Sequence, residues 1–239
     1  MSEKESILLR QCNEQLNICI SFCHYNEKDK CLVNYLCDRE KENYTRLNAR
    51  IKKEEYLIGR YTAKYAVKGL APHLDMADIH VNSGIFHEPL IITDQNVPFF
   101  VSISHKANMA VALVSTLTGS IGIDLELANT KYNEAIELVC TDKEKYKHCS
   151  KGLHMVLWTA KEAVSKVFKT GLKADFKMFE VDEINRDGNI LWGSFTYFPQ
   201  FCFKCLLLND VIISVVLPVF LHTVFDIENL NQSMKQYGY

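Results

Sequence analysis

The sequence predicts an α+β fold built from two similar halves, each a long helix packed on an antiparallel sheet. The helix segment TAKYAVKGL, which begins at Thr62, recurs as TAKEAVSKVFKTGL from Thr159, 97 residues later. Two hairpins are predicted after each helix, and the strands that close the two halves begin at Val111 and Val211. Because the same elements recur in the same order, we expect a duplicated unit with a pseudo-two-fold axis.

The predicted halves are residues 1–118 and 119–239. At 48% hydrophobic and 23% charged residues, the chain has the composition of a globular protein. Its formal net charge of −2 argues against general nucleic-acid binding. The longest apolar run, Val211–Leu221, is short for a bilayer and contains Pro218, so we expect a core strand and no membrane partner.

The chain has nine cysteines, and its first residues, MSEKESILLRQC, lack the apolar core of a signal peptide. We therefore expect a cytoplasmic protein with free thiols. Cys202 and Cys205 form a C-x-x-C pair, but they lie in an apolar, aromatic run without a second pair. This context predicts buried strand thiols rather than a zinc site.

Periodicity and turn residues predict the elements of the first half. They are a strand over Glu14–Cys23, a charged helix over Asp38–Lys53 that runs into a second helix over Glu54–Leu70, a hairpin within Ile79–Ile92, and strands over Phe99–Ser104 and Met109–Thr116. Gly69 and Pro72 are expected to end the long helix.

The second half is predicted in the same way. Its elements are a strand at Ile121–Glu126, a helix over Trp158–Leu172, and hairpins within Phe179–Phe198 and Phe201–Leu217. Gly171 is expected to end this helix as a C-terminal cap.

The residues that indicate chemistry lie on this strand and this helix. Strand alternation puts Asp124 and Glu126 on one face, and helical spacing puts Trp158, Glu162 and Lys166 on another. Carboxylates beside a fixed positive charge are typical of a magnesium-assisted reaction on a phosphate ester. Taken singly, the strand pair is also typical of a solvated edge strand, and the helix pair of a surface ion pair.

The two copies differ where this chemistry would lie. Tyr65 stands in the first copy where Glu162 stands in the second, and the first half has no equivalent of Asp124 and Glu126. We therefore expect one active site per chain.

The combination of GIDLE, WTAKEAVSK and the upstream VSISHK resembles the signatures of the 4′-phosphopantetheinyl transferase superfamily. The resemblance is to its monomeric, two-halved type, which activates peptide synthetases, and it runs from about Arg46 to about Leu217. It implies transfer of the 4′-phosphopantetheine arm of coenzyme A to a serine hydroxyl of an apo acyl or peptidyl carrier protein, with release of 3′,5′-ADP.

The resemblance also implies roles for individual residues. Asp124, Glu126 and Glu162 would hold Mg²⁺, or Mn²⁺ in its place, and Glu162 would accept the serine proton. Lys166 would contact the transferring phosphate, so Asp124, Glu162 and Lys166 are the expected catalytic residues. The residues expected to bind CoA are Ser104, His105, Lys161, Lys166, Arg46 and Arg60.

Ser104 and His105 match family positions that contact CoA phosphates, and we expect them at a loop between two strands. Two departures stand out: His87-Glu88-Pro89 replaces a Gly-Lys-Pro that the family often has, and Glu40 and Asn43 stand where cations are expected. These departures leave open a non-catalytic relative that binds CoA or a carrier. A third possibility is a magnesium-dependent phosphotransferase acting on a nucleotide, which the absence of a Gly-rich phosphate loop disfavours.

The partner is expected to be an acidic carrier domain, guided by a lysine-rich segment in and after the second helix. Its members are Lys161, Lys166, Lys169, Lys173 and Lys177. An internally duplicated chain has less need of a second copy, so a monomer is expected.

Overall fold

The computed structural model describes residues 7–13, 15, 17–26, 30–95, 97–128, 130–222 and 225–239. Its residues form two compact units, Met1–Gly119 and Ser120–Tyr239. Each unit has a long helix packed on antiparallel strands, which confirms the α+β class predicted from the sequence.

The first unit contains six strands and two α-helices in its described part. They are β1 Ile7–Asn13, β2 Ile18–His24, α1 Asp38–Arg46, α2 Arg50–Leu70, β3 His80–Ser83, β4 Pro89–Ile92, β5 Phe100–Lys106 and β6 Met109–Ser115. Four strands form an antiparallel sheet in the order β1-β2-β6-β5, and β3 pairs with β4 in a hairpin that contacts β5. All seven residues of β6 are buried and the strand packs against α2. Because both faces of the strand are covered, its sequence is almost continuously apolar.

The structure changes three details of the first unit. An additional edge strand, β1, precedes a strand that starts at Ile18 rather than at Glu14, a residue outside the described part. Two helices are present as predicted, but the boundary between them lies at residues 47–49 rather than after Lys53, because the chain becomes extended at Leu47 and Ala49. Gly69 is not the cap either: α2 continues to Leu70, and the cap is Ala71.

Gly69 instead makes room for a disulfide between Cys12 and Cys19, whose sulfur atoms would lie 2.2 and 2.5 Å from a Cβ at this position. The expectation that all nine cysteines are free thiols was therefore wrong for this pair. Six other cysteines in the described part are free and buried. Cys202 and Cys205 are among them, as predicted, and they lie on one strand of the second unit.

The second unit contains five strands and five α-helices in its described part. They are β7 Gly122–Leu127, α3 Asn133–Leu138, α4 Asp142–Lys147, α5 His154–Val167, β8 Val181–Asp187, β9 Ile190–Phe195, β10 Phe201–Leu208, β11 Val211–Pro218, α6 Val219–His222 and α7 Glu228–Gln236. The strands form one antiparallel sheet in the order β7-β11-β10-β9-β8, and α5 packs on β7 and β11.

The predicted duplication is visible within the units as a shared topology. In both units, a strand is followed along the chain by a long helix and two hairpins. The last strand of each unit pairs on one side with the strand before the long helix and on the other side with its own hairpin partner. Thus β2, β6 and β5 correspond to β7, β11 and β10. Met109 and Val211 begin the equivalent final strands, opposite His24 and Leu127 respectively.

Helix α5 differs from its predicted bounds at both ends. It begins at His154, four residues before Trp158, and it ends at Val167 rather than at Gly171. Lys169 takes a left-handed conformation with φ of 57°, and Phe168 packs against Phe179, Phe198 and Phe201. The aromatic contact anchors the chain where the helix stops, and Gly171 takes a left-handed conformation with φ of 53° in the turn that follows.

The duplication extends to a buried ion pair in each unit. In the first unit the Lys64 ammonium donates to Glu40, at 2.6 Å, and Glu40 also accepts the backbone N–H groups of Cys37 and Val81. Both side chains are essentially unexposed. A buried charge is tolerated only when it is paired and hydrogen-bonded, and this arrangement meets that requirement.

In the second unit Lys161 donates to Glu144 at 2.8 Å, and Glu144 accepts the N–H groups of Thr141 and Val181. Val81 lies in β3 and Val181 in β8, which are the first strands after the long helices along the chain, so the two positions are equivalent. The two ion pairs therefore fix a capped short helix and a strand against the long helix in each unit.

Candidate active site

The site is built on the contact between strand β7 and helix α5. A Cβ placed on Gly122 would lie 2.0 Å from the carbonyl oxygen of Ala163, so the two backbones touch at this point. The face of β7 that carries Gly122 therefore faces α5. Because side chains alternate along a strand, Asp124 and Glu126 share that face. The glycine of the GIDLE segment thus brings both carboxylates to the helix that carries Glu162 and Lys166.

Lys166 contacts β7 directly. Its ammonium donates to Asp124 Oδ1 at 2.9 Å and to the carbonyl oxygen of Ile123 at 2.8 Å. The Asp124 side chain is 6% exposed and that of Lys166 is 25% exposed, so the pair is partly buried. Partial burial strengthens this attraction relative to an exposed ion pair.

Glu126 and Glu162 are half-buried beside this pair, on β7 and α5 respectively. Their oxygens and those of Asp124 do not form a group whose atoms all lie within 4.8 Å of one another. Mg²⁺ binds oxygens at about 2.1 Å, so the oxygens bound to one ion lie closer together than 4.8 Å. Half-buried glutamates can rotate, and the three carboxylates have the oxygen chemistry that a hard dication prefers. The residues therefore fit the ion by type, and binding would require the side chains to converge.

Trp158 lies on α5 two turns before Lys166, as the helical spacing predicted. Its ring packs against Phe176, with the ring centroids 5.4 Å apart, at the edge of the second unit's core. Trp158 therefore contributes to packing, while the residues one and two turns farther on contribute the charged groups.

The first unit contains a separate cavity of about 340 Å³. It is lined by Arg60 and His105, two of the predicted CoA-binding residues, and by Lys52 and Glu55 of α2 and by His87. Lys52 donates to Glu55 at 2.7 Å, and His105 Nδ1 lies 3.9 Å from the same carboxylate. The cavity thus collects cationic and hydrogen-bonding groups around one anionic side chain.

Arg60 is the most constrained of these groups. Its guanidinium lies 3.3 Å from the ring centroid of Tyr56, and its Nε is buried without a hydrogen-bond partner among the described residues. Burial lowers the pKa of Arg60, while Tyr56 and Glu40 act in the opposite direction. An arginine remains protonated at neutral pH, so this buried donor is suited to an anionic oxygen.

Ser104 and Arg46, two other predicted CoA-binding residues, do not line this cavity, and His105 lines it from a strand. His105 lies within β5, opposite Ala110, and not in a loop as expected. Ser104 is buried on the opposite face of the strand, because adjacent residues alternate. Arg46, at the end of α1, is exposed and pairs with Glu42.

Lys161 was expected to contact a phosphate, and the structure places it elsewhere. Its ammonium is fully buried, and it donates to Glu144 and to the carbonyl oxygens of Val139 and Phe176. All three N–H groups of an ammonium are used in this way. We correct the expectation accordingly: Lys161 is a structural residue.

The sequence interpretation missed Lys52, Tyr56 and His87 as cavity residues. Lys52 and Tyr56 lie four residues apart on α2, and Tyr56 precedes Arg60 by the same spacing. This helical spacing would have grouped them on one face. Glu88 does not simply bring a negative charge into the cavity. Its carboxylate accepts the backbone N–H of Phe86 in its own turn, and Glu88 is not among the residues that line the cavity.

No helix in the described part of the chain combines the length and the apolar character that a bilayer span requires. Among solved structures, the chain is similar to a holo-(acyl-carrier-protein) synthase from Bacillus anthracis str. Ames in complex with CoA (3′,5′-ADP). The identity is 26%, the match covers 41% of this chain and 93% of that chain, and the TM-score is 0.38. No curated protein matches the chain. Residues 120–216, which include the strand and helix that carry Asp124 and Lys166, match the family model of the 4′-phosphopantetheinyl transferase superfamily.

Proposed function

We propose that this protein transfers the 4′-phosphopantetheine arm of coenzyme A to a serine hydroxyl of an apo carrier protein, releasing 3′,5′-ADP, with Mg²⁺ as the metal. The observation that carries the proposal is the contact between Lys166 and Asp124, at 2.9 Å, on a strand and helix that match the transferase superfamily. The shared topology of the two units supports the two-halved type that activates peptide synthetases.

In this proposal Glu162 accepts the proton of the carrier serine, because a serine hydroxyl is a weak nucleophile without a base. Lys166, one helical turn away, stabilises negative charge on the transferring phosphate and on the departing 3′,5′-ADP. Asp124 holds the Lys166 ammonium in position before substrates bind.

Asp124, Glu126 and Glu162 would hold the metal. When bound, Mg²⁺ would offset the charge of the CoA pyrophosphate, which is the usual role of this ion at phosphate groups. The donor set consists only of oxygens, so Mn²⁺ is expected to replace Mg²⁺.

We further propose that the cavity of the first unit binds a phosphate of CoA. The buried Nε of Arg60 and the nearby Lys52 and His105 support this assignment. Arg60→Lys is expected to raise the KM for CoA at least tenfold, because a lysine cannot present a flat guanidinium on Tyr56. A KM unchanged by this variant would remove the cavity from the proposal.

The carrier is proposed to dock on the exposed surface that follows α5. Leu172 and Met178 are 71% and 55% exposed, and the lysines around them, Lys169, Lys173 and Lys177, are also exposed. This combination suits an acidic domain with an apolar contact. Lys173→Glu is expected to raise the KM for the carrier and to weaken its dependence on salt, while the KM for CoA stays constant.

The test of the central proposal is a mass measurement. The protein is incubated with CoA, Mg²⁺ and a panel of apo carrier domains, and the carrier is expected to gain the mass of the arm. Asp124→Asn is expected to lose at least 100-fold in rate, whereas Asp187→Asn, at an exposed position of β8, retains the wild-type rate. EDTA is expected to stop the reaction, and Mg²⁺ or Mn²⁺ to restore it. No mass gain with any carrier would refute the proposal.

A second candidate is a non-catalytic relative that binds CoA or a carrier without turnover. It is favoured by the three carboxylates, whose ligand atoms do not all lie within 4.8 Å of one another. Calorimetry would then show CoA binding that Arg60→Lys weakens, while the mass of every carrier stays constant.

A further inference from the structure

A second cluster of potential metal ligands lies in the second unit, between α3 and the start of α5. Glu137, Cys149 and His154 each offer one ligand atom, and these atoms all lie within 4.8 Å of one another. Glu137 is on α3, Cys149 is in a 3₁₀ turn, and His154 is the first residue of α5. These residues take no part in the proposed transfer reaction.

The polar groups of this cluster are not fully satisfied within the described part of the chain. His154 Nε2 lies 2.9 Å from Glu137 Oε1. His154 is only 7% exposed, and its Nδ1 is buried without a hydrogen-bond partner in the described part of the chain. A buried imidazole nitrogen without a partner is costly, and it is suited to a metal or a water.

A fourth donor is close to the cluster. The thiols of Cys140 and Cys149 are both free and buried, and the two residues belong to the same core cluster. The backbone N–H of Cys140 is bonded to the carbonyl oxygen of Glu137, so the end of α3 holds these two residues together. The set therefore contains two sulfurs, one nitrogen and one oxygen.

We propose that Glu137, Cys140, Cys149 and His154 form a zinc site. Thiolate and imidazole donors select zinc over Mg²⁺, and four ligands complete a tetrahedral, structural coordination sphere. Ligands of one zinc ion lie roughly 3.3–3.8 Å apart, given bonds of about 2.0–2.3 Å, so the ligand atoms of Glu137, Cys149 and His154, all within 4.8 Å of one another, need only a small contraction. The Cys140 thiol lies outside this group of three and would move in to complete the set. Glu137, with its side chain 44% exposed, leaves a path for the ion to enter.

The bound ion would tie the turns before α5 to α3. Leu153 and Leu157 lie next to His154 in the hydrogen-bonded start of α5, and Gly152 takes a left-handed conformation with φ of 74° between Cys149 and the helix. Coordination by Cys149 and His154 would fix this turn from both sides. We therefore assign the ion a structural role: it would stabilise the start of the helix that carries Glu162 and Lys166.

The test uses the full chain, purified under reducing conditions without chelator and then treated with EDTA. Anaerobic titration with Co²⁺ is expected to give one equivalent of a tetrahedral complex with a thiolate-to-metal charge-transfer band, which Zn²⁺ then removes. Cys149→Ser and Glu137→Gln are each expected to weaken binding at least tenfold, and Cys140→Ser to reduce the charge-transfer intensity. Zn²⁺ is also expected to raise the Tm of the wild-type chain.

Two controls separate this site from others. Cys202→Ser removes a buried thiol elsewhere in the same unit, and Asp124→Asn removes a carboxylate of the proposed active site; both should retain the charge-transfer band. A wild-type chain that gives no such band, or a Cys149→Ser chain that gives the wild-type band, would overturn the proposal. If Cys149→Ser does not fold, Glu137→Gln decides, because its amide oxygen can still accept a hydrogen bond from His154. A band of wild-type intensity and affinity in Cys140→Ser would overturn the assignment of the fourth ligand.

Discussion

Replacing Lys161 by methionine tests whether this residue is structural, as its burial indicates, or functional, as its place in the sequence motif suggested. The substitution keeps an apolar stem of similar length and removes only the ammonium. Glu144 then retains the N–H donors of Thr141 and Val181 but loses its countercharge inside the protein. The carbonyl oxygens of Val139 and Phe176 lose their donor as well.

Removal of one partner from a buried ion pair costs about 3–5 kcal/mol, because the remaining charge is uncompensated. For a chain of this size, this corresponds to a decrease in Tm of roughly 6–20 °C. Urea denaturation followed by circular dichroism measures the loss directly. Lys64→Met is the matched variant, because Lys64 holds the same relation to Glu40 in the other unit.

The double variant Lys161→Met, Glu144→Gln provides the internal check. The neutral amide removes the unpaired charge and can still accept one N–H group, so it is expected to recover about 1–3 kcal/mol of the loss. A single variant that costs less than about 1 kcal/mol would refute the structural assignment of Lys161. The same conclusion would follow if Glu144→Gln made the single variant still less stable.

Further predictions concern the active helix and the buried thiols. Lys166→Met is expected to lower the rate of arm transfer at least 100-fold and to cost less stability than Lys161→Met, because the Lys166 pair is partly exposed and the Lys161 pair is not; comparison of the mass assay with urea denaturation would test this. Gly122→Ala should cost about 1–3 kcal/mol or more through its clash with Ala163, whereas Gly59→Ala, whose Cβ would meet only ordinary contacts at 3.6 Å, should be neutral or stabilising; equal losses in the two variants would contradict this account. Burial raises the pKa of both cysteines of β10 to about 12, so iodoacetamide at pH 8 should modify them only after unfolding, as intact-mass measurement would reveal.

Much of the fold was accessible from periodicity alone. The alternation of GIDLE, the helical spacing of Glu162 and Lys166, and the repeat that begins at Thr62 all have direct counterparts in the structure. These features are local, or they repeat, so one sequence is sufficient to detect them. The contact of Lys166 with Asp124 follows from two correctly predicted faces that pack together.

The wrong predictions concern residues whose burial is set by tertiary contacts. A charged residue on a helix is usually exposed, so Glu40, Glu144 and Lys161 gave no sign of burial by composition. A signal was nevertheless present: the lysine recurs in both copies, as Lys64 and Lys161, whereas Glu162 does not recur. A residue that both halves retain serves the fold that they share, and a residue present in one half is the better candidate for chemistry.

Strand faces gave the other error. Ser104 and His105 are adjacent in sequence and were grouped for that reason, but β5 continues through both and turns them to opposite sides. Helices α3 and α4 were not predicted because each is only six residues long, less than two turns. The Thr141–Glu144 capping box was the available indication of α4.

The backbone contact at Gly122 has a consequence for how the molecule can vary. With no side chain between them, β7 and α5 are spaced by main-chain atoms alone, so a substitution in the surrounding core cannot easily alter their distance. The reach of the Lys166 ammonium to its two oxygen acceptors depends on that spacing. A single added methyl group at this position would displace every charged group of the helix at once. The absence of a side chain at Gly122 therefore sets the distance between β7 and α5.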